Sequence, residues 1–227
     1  MKQAYLLASL FLAACTTQPV EQSVKQSGKQ LTPPPSAPMA PQLSSAECGV
    51  RLGKYLEMGF DQFDQRDEGW REIAKKRGCE TAAADLTKQY REWMMSRMDG
   101  LIGHEAELRA SAGDTANGLG LFRERQAMQD DDPINRLTNE AVIAFLEGDK
   151  DRLVAARERL AAVPQPPEFL AAVEAARKST GRPDLQLTWP LNLSMVDSLV
   201  RCFGKPFKVA FVYRCDEAKA AAAETGN

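Results

Sequence analysis

The chain has 227 residues, with 29 Lys and Arg against 31 Asp and Glu, and a formal net charge of −2 at pH 7. This near balance argues against a nucleic-acid-binding surface, because such a surface needs a clustered excess of basic residues. Beyond the first 45 residues, about 180 remain, which is enough for one domain with an apolar core. We therefore expect a single globular domain and no nucleic-acid partner.

The N-terminus is typical of a secretory signal. Lys2 provides a basic region, and residues 5–12 form an apolar stretch that is too short to span a bilayer permanently. The segment then reads Leu12-Ala13-Ala14-Cys15, which resembles the lipobox of bacterial lipoproteins. The resemblance implies that residues 1–14 are a signal peptide and that Cys15 becomes the acylated first residue. An ordinary signal peptide with a chance Cys is the alternative.

The residue after the lipobox bears on the membrane to which the chain is sorted. Thr16 follows Cys15, whereas Asp at this position is linked to inner-membrane retention in lipoproteins of the enterobacterial type. The resemblance therefore implies an outer-membrane anchor, with the protein facing the periplasm, held firmly by several acyl chains such as palmitate. Removal of residues 1–14 takes away one Lys and no acid, so the mature charge is 28 − 31 = −3.

Residues 15–45 are rich in Gln, Ser, Lys and Pro and include the run PPPSAPMAP at 33–41. Few apolar side chains are present to offset the entropy cost of ordering this backbone. We expect a disordered, semi-extended tether that holds the folded part away from the membrane. A ligand for a proline-recognition domain is the alternative.

Four cysteines follow the tether. An even count in an exported protein indicates disulfide bonds, and three pairings are possible. A four-cysteine zinc site is disfavoured, because the chain contains no C-x-x-C pair and a single His. We predict no metal and no cofactor, and we favour the two nearest-neighbour pairs, Cys48–Cys79 and Cys202–Cys215.

Three glycines recur at a spacing of 35 residues, each between two amphipathic segments: Gly78, Gly113 and Gly148. A fixed period of this size is typical of a helical-repeat array. Glycine adopts the left-handed conformation at a helix end without steric penalty. Asp114 and Asp149 follow two of these glycines and can cap the next helix, and Thr81 could do so after the first.

This pattern resembles the tetratricopeptide repeat, a helix–turn–helix unit of about 34 residues. The resemblance covers residues 64–164 and implies an all-α fold, an α-solenoid of about three degenerate helix hairpins with helical N- and C-terminal caps. A generic stack of helical hairpins is the alternative, because Arg71, Thr87 and Arg157 depart from the family pattern. Four small residues agree with it: Ala83, Ala106, Gly118 and Ala141.

We expect the array to occupy residues 46–163, opening with a helix at about 47–63. Residues 164–215 no longer follow the 35-residue period. Their pattern predicts a helix at about 167–178, a second helix that begins at Trp189-Pro190, and an extended hook. The hook is predicted because apolar residues alternate between Phe207 and Tyr213. Residues 216–227 are Ala-rich and predict a flexible tail.

The sequence contains few motifs that are typical of a catalytic site. His104 is followed by Glu105, but Leu108 stands where a zinc protease needs its second His, and no G-x-S-x-G motif occurs. We therefore predict no enzyme and no catalytic residue, and we interpret His104 as a surface or packing residue, with an acid–base pair as the alternative. One cluster could bind Cu(I) but more often forms a packing surface: Trp93, Met94, Met95, Met98 and His104.

In tetratricopeptide proteins, the first helices of successive repeats line a concave groove that holds a partner segment. The resemblance implies that this groove would be acidic at one end and neutral to apolar at the other, which would suit a peptide with a basic end. Its lining would include six residues: Glu68, Glu72, Glu107, Asn135, Thr138 and Val142.

The sequence therefore predicts a non-enzymatic, lipid-anchored helical-repeat protein that acts as a protein–protein interaction adaptor or an envelope assembly factor. Its partner would be a protein or peptide of the envelope, and the N-terminal lipid would provide its membrane contact. One alternative is a periplasmic inhibitor or immunity lipoprotein against an envelope-targeting toxin. Another is a cell-wall-modifying hydrolase, which a deep pocket with convergent carboxylates would favour.

Overall fold

The computed structural model describes residues 41–95, 99–128 and 132–216, so the predicted signal peptide, Cys15, most of the predicted tether and residues 217–227 lie outside it. Every regular element in these ranges is helical, which confirms the all-α prediction. No helix there is long and apolar enough to cross a membrane. The elements are α1 (Leu52–Leu56), a π-helical turn (Asp61–Gln65), α2 (Trp70–Ala74), α3 (Glu80–Trp93), α4 (Asp99–Ser111), α5 (Thr115–Gln126), α6 (Pro133–Glu147), α7 (Lys150–Ala161), α8 (Phe169–Thr180), α9 (Leu193–Arg201) and α10 (Phe207–Phe211).

The three glycines with the 35-residue spacing lie at the corners of three consecutive helix hairpins, α2–α3, α4–α5 and α6–α7. Gly78, Gly113 and Gly148 have φ angles of 71°, 86° and 73°, the left-handed conformation that was expected. The side chain of Asp114 caps α5, and Asp149 accepts a hydrogen bond of 3.0 Å from the Arg152 N–H at the start of α7. The corner interpretation of these glycines is confirmed.

The first corner is capped differently from the prediction. Thr81 does not cap α3; its N–H instead donates to Oε1 of Gln42 over 3.0 Å. The Leu43 N–H also donates to the carbonyl of Gly78 over 2.7 Å. Gln42 and Leu43, which lie within the range predicted for the tether, thus bond to the first hairpin.

The N-terminal cap is less regular than the single helix predicted at about 47–63. It consists of a turn, the short helix α1 and the π-helical turn. Gly49 and Gly59 flank α1 and Gly53 lies within it, and each Gly costs a helix interior about 1 kcal/mol relative to Ala. The segment is fastened by Cys48–Cys79, whose Cα atoms lie 5.8 Å apart, the pair that the sequence analysis favoured.

The C-terminal segment contains α8, α9 and α10, and the predicted extended hook was wrong. Phe207–Phe211 is helical, which places the two Phe rings on one face with their centroids 4.8 Å apart. A helix satisfies its backbone groups internally, whereas a lone strand would leave them without partners. Cys202 and Cys215 are joined across this segment, with Cα atoms 6.0 Å apart, as expected.

Two groups of buried apolar residues form the core, and α4 contributes to both. One group joins α1, α2 and α3, with Phe63 stacked on Tyr90 at a centroid distance of 3.6 Å. The other joins α5, α6 and α7 to α9 and α10. The Phe207 ring lies 6.3 Å from Phe122 and 6.1 Å from Phe145. The C-terminal helices are therefore part of the core of the second and third hairpins.

Two glycines of α5 provide a matched test of how closely α4 and α5 pack. A Cβ on Gly118 would lie 3.0 Å from the carbonyl oxygen of Ala106 and from the N atom of Ala110, whereas a Cβ on Gly120 would meet no atom within 4 Å. The gain in helix propensity is the same for both Gly→Ala changes. We expect Gly118→Ala to be less stable than Gly120→Ala by about 1–3 kcal/mol in chemical denaturation. Equal free energies of unfolding for the two variants would show that α4 and α5 can move apart for the added Cβ without loss of stability.

Candidate functional site

A cleft of about 580 Å³ opens between α2, α4 and α10. Its volume falls within the range of ligand-binding clefts. Its apolar walls come from residues on all three helices: Trp70 and Ala74 on α2, Leu108 on α4, Phe211 on α10 and Val212 just after it. The cleft therefore depends on α10, which brings residues distant in sequence to the side of the first two hairpins.

Basic side chains outnumber acidic ones around this cleft. Five are basic (Arg71, Lys75, Lys76, Arg77 and Lys208) and two are acidic (Glu80 and Glu107). Four of the basic residues lie on α2 and in the turn that follows it. We name these four side chains, at residues 71 and 75–77, the basic rim.

Three of the four basic-rim side chains, all but Lys75, form no direct ion pair within the described residues. Arg71 donates to the carbonyl of Asp64 and its guanidinium lies 4.1 Å from the Trp70 ring centroid. Lys76 donates to the carbonyl of Cys48 over 2.7 Å. Lys75 pairs over 2.9 Å with the largely exposed carboxylate of Asp67. Carbonyl oxygens and aromatic rings carry no net charge, so Arg71 and Lys76 have no direct ion pair in the described part of the chain, although Asp67 and Glu72 lie near enough to interact with them electrostatically.

Trp70 also covers a buried polar group. Its Nε1 donates to Asp64 Oδ1 over 3.0 Å, and its ring centroid lies 4.9 Å from that of His104. His104 Nε2 lies 3.4 Å from the same oxygen, and Nδ1 lies 3.6 Å from Glu107 Oε2. His104 thus lies between two carboxylates and connects the π-helical turn to α4. This arrangement fits the packing role expected for His104.

The cleft also contains Ser111, which bears on the hydrolase alternative. Ser111 is seven residues beyond His104 on the same helix, and a rise of 1.5 Å per residue separates them by about 10 Å along the axis. A general base must lie within hydrogen-bond reach of the group it activates. His104 therefore cannot activate Ser111 in this conformation.

An ion pair closes the inner side of the cleft. Lys208 on α10 pairs with Glu80, whose side chain is 5% exposed and also accepts a hydrogen bond of 3.2 Å from Gln42. Burial lowers the pKa of Lys208, but the hydrogen bond and the charge of Glu80 outweigh it, so the pKa is raised overall. Lys208 is consequently a charged contact that fixes α10 against the start of α3.

The acidic residues predicted for the groove are only partly in this cleft. Glu107 lines it, but Glu68 and Glu72 do not. Glu72 instead bonds to Lys54 over 2.8 Å, a hydrogen bond that lowers the pKa of Glu72. The expected acidic end of the groove is replaced by the basic rim, so the expected preference for a basic peptide end does not suit this cleft.

The third hairpin offers no open groove at the predicted positions. Thr138 is 6% exposed and accepts a hydrogen bond of 3.5 Å from Asn192, and Val142 is 2% exposed in the core shared with α9. Asn135 bonds with its side chain to Asp132, the cap of α6. Placing Thr138 and Val142 on a partner-binding surface was therefore wrong, because the chain's own C-terminal helices cover them.

The basic rim was missed from the sequence, although it had a signal there. Four of the seven residues at 71–77 are basic, including the run Lys-Lys-Arg at 75–77, and a basic segment of this length can mark a binding surface. The mildly acidic overall charge concealed this local excess. Lys208 and Phe211 had no such signal, since only the folding of α10 brings them to this side of the molecule.

The described members of the suggested copper cluster are divided between exposed and packed positions. Among the residues that the structure describes, no group of three or more His, Cys, Asp and Glu side chains could hold a metal ion. Trp93 and Met95 are 62% and 92% exposed, Met98 lies outside the described residues, and His104 contacts Asp64. The imidazole thus has carboxylate neighbours.

Comparison with protein-family models finds no match, and the same is true of comparisons with curated proteins and with solved structures.

Proposed function

We propose that this protein is a lipid-anchored, periplasm-facing adaptor that binds a segment of a partner protein in the cleft between α2, α4 and α10. The observation that carries the proposal is an apolar cleft with one wall formed by α10, a short helix of the same chain that packs against the hairpins. On the same side of the hairpins, the chain's own short helix α10 is already bound, with Phe207 packed against Phe122 and Lys208 paired with Glu80. A surface that packs one polypeptide segment is chemically suited to a second.

The repeat pattern supports the same function. The three hairpins have glycine corners with a 35-residue period, and we propose that they are degenerate tetratricopeptide-like repeats forming a short α-solenoid. In that family, first helices line the partner groove, and α2 and α4 are the first helices of the first two hairpins. We infer that α9 and α10 fill the part of this groove beside the third hairpin. The part beside α2 and α4 is left for the partner.

The anchor completes the proposal. Acylation at Cys15 would tether the adaptor to the outer membrane, and residues 16–40 would let it reach partners in the envelope. Cys15→Ala should abolish metabolic labelling with a palmitate analogue and release the protein from the membrane fraction. Persistent labelling of the Cys15→Ala variant would refute the lipid anchor.

Site-specific photo-crosslinking in native envelopes tests the binding role. We expect a crosslinking amino acid at Val212, which is 51% exposed in the cleft wall, to yield a covalent adduct with a distinct protein. Leu170 on α8, 69% exposed and absent from the cleft lining, is the matched control. The same adducts at both positions, or none at Val212, would contradict the proposal. An adduct with a secreted toxin would favour the immunity alternative over the adaptor.

A further inference from the structure

The charge around the cleft indicates which kind of segment it binds. We propose that the cleft selects a short acidic peptide segment, with an apolar side chain as its anchor and carboxylates beside it. The inference rests on the proposed adaptor function and adds the chemical class of the partner. The apolar anchor would contact Trp70, Leu108 and Val212, and the carboxylates would face the basic rim.

Charge complementarity is the first argument. Two of the four basic-rim side chains, Arg71 and Lys76, are bound only to carbonyl oxygens or an aromatic ring. Arg77 is exposed and has neither an ion pair nor a side-chain hydrogen bond within the described part of the chain. The positive charge of the basic rim attracts carboxylates, and added salt should weaken this attraction because most of these side chains are exposed.

The existing contact of α10 is the second argument, and it favours a peptide over other anions. This short helix places an aromatic anchor, Phe207, in the core and a neighbouring charge, Lys208, on the buried Glu80. The pattern is thus an apolar anchor followed by an ion pair. The open part of the cleft offers the same pattern with the charges reversed, because its wall is apolar and three of the four basic-rim side chains have no direct ion pair in the described part of the chain.

Display selection with the full-length protein tests the peptide class directly. A library of random short peptides would be selected on the protein, and the enriched sequences would be compared with the starting library. We expect enrichment of Asp and Glu next to an aromatic or aliphatic residue, together with a perturbed indole N–H resonance of Trp70. Enrichment of neutral or basic peptides would overturn the proposal.

Matched charge reversals then locate the binding. Arg77→Glu should weaken binding of an enriched synthetic peptide at least about tenfold in calorimetry. Arg136→Glu, at another exposed arginine without a side-chain partner within the described ranges, makes the same change in net charge and should leave binding unchanged. Equal losses in both variants would indicate non-specific attraction and refute the assignment to the cleft.

The outcome for the peptide class is separable from the outcome for the adaptor function. If Val212 crosslinks to a partner but acidic peptides are not enriched, the peptide class is wrong and the adaptor function stands. If neither Val212 crosslinking nor the selection yields a ligand, both proposals fail.

Discussion

Replacing Glu105 with Ala should lower the free energy of unfolding by about 3–5 kcal/mol, because it leaves two arginines without their buried partner. The Glu105 side chain is 3% exposed and bonds to Arg91 over 2.9 Å and to Arg109 over 3.0 Å. Arg109 also bonds to Asp85 over 3.0 Å. These contacts connect α3 to α4 and hence the first hairpin to the second. Chemical denaturation monitored by circular dichroism would measure the loss.

Glu92→Ala provides the control for this experiment. Glu92 pairs with Lys88 on the surface of α3 over 3.8 Å, and both side chains are about half exposed. Exposed pairs of this kind contribute about 0.3–0.5 kcal/mol, so the change should be small. A similar loss in the two variants would mean that the buried network does not hold the hairpins together.

Phe207→Ala should also lower the free energy of unfolding, by about 3–5 kcal/mol. Phe207 is 5% exposed and lies between Phe122 and Phe145, so truncation removes ring contacts and leaves a cavity. Hydrogen exchange should accelerate in α9 and α10 more than in α2 and α3, because the two sets of helices belong to different core groups.

Val212→Ala is the matched comparison for Phe207→Ala. Val212 is 51% exposed in the cleft wall, and its truncation should change stability by less than about 1 kcal/mol. If Phe207→Ala were no worse than Val212→Ala, α10 would not be anchored in the core. The cleft would then lack a fixed third wall.

Local features of this fold could be predicted from the sequence because they depend on neighbouring residues. A glycine between amphipathic segments needs only local sterics to end a helix, so Gly113 and Gly148 were predicted correctly. Asp114 and Asp149 cap helices that begin at the next residue. The all-α class followed from the same periodic pattern.

The tertiary structure decided which surfaces remained open. Alternating apolar residues in the last segment are compatible with a strand or a short helix, and packing of Phe207 against Phe122 selected the helix. That choice brought Lys208 to Glu80, while the packing of α9 against α6 buried Val142. No local pattern encodes contacts between residues so far apart in the chain.

The candidate site therefore depends partly on local sequence and partly on tertiary packing. The sequence by itself determined the helix hairpins, their corners and the basic run at 75–77, because each depends on short segments. Only the tertiary structure decided that this run would border an apolar cleft, since the opposite wall comes from residues 208–213. Long-range packing placed that wall, and with it the charge and shape of the site.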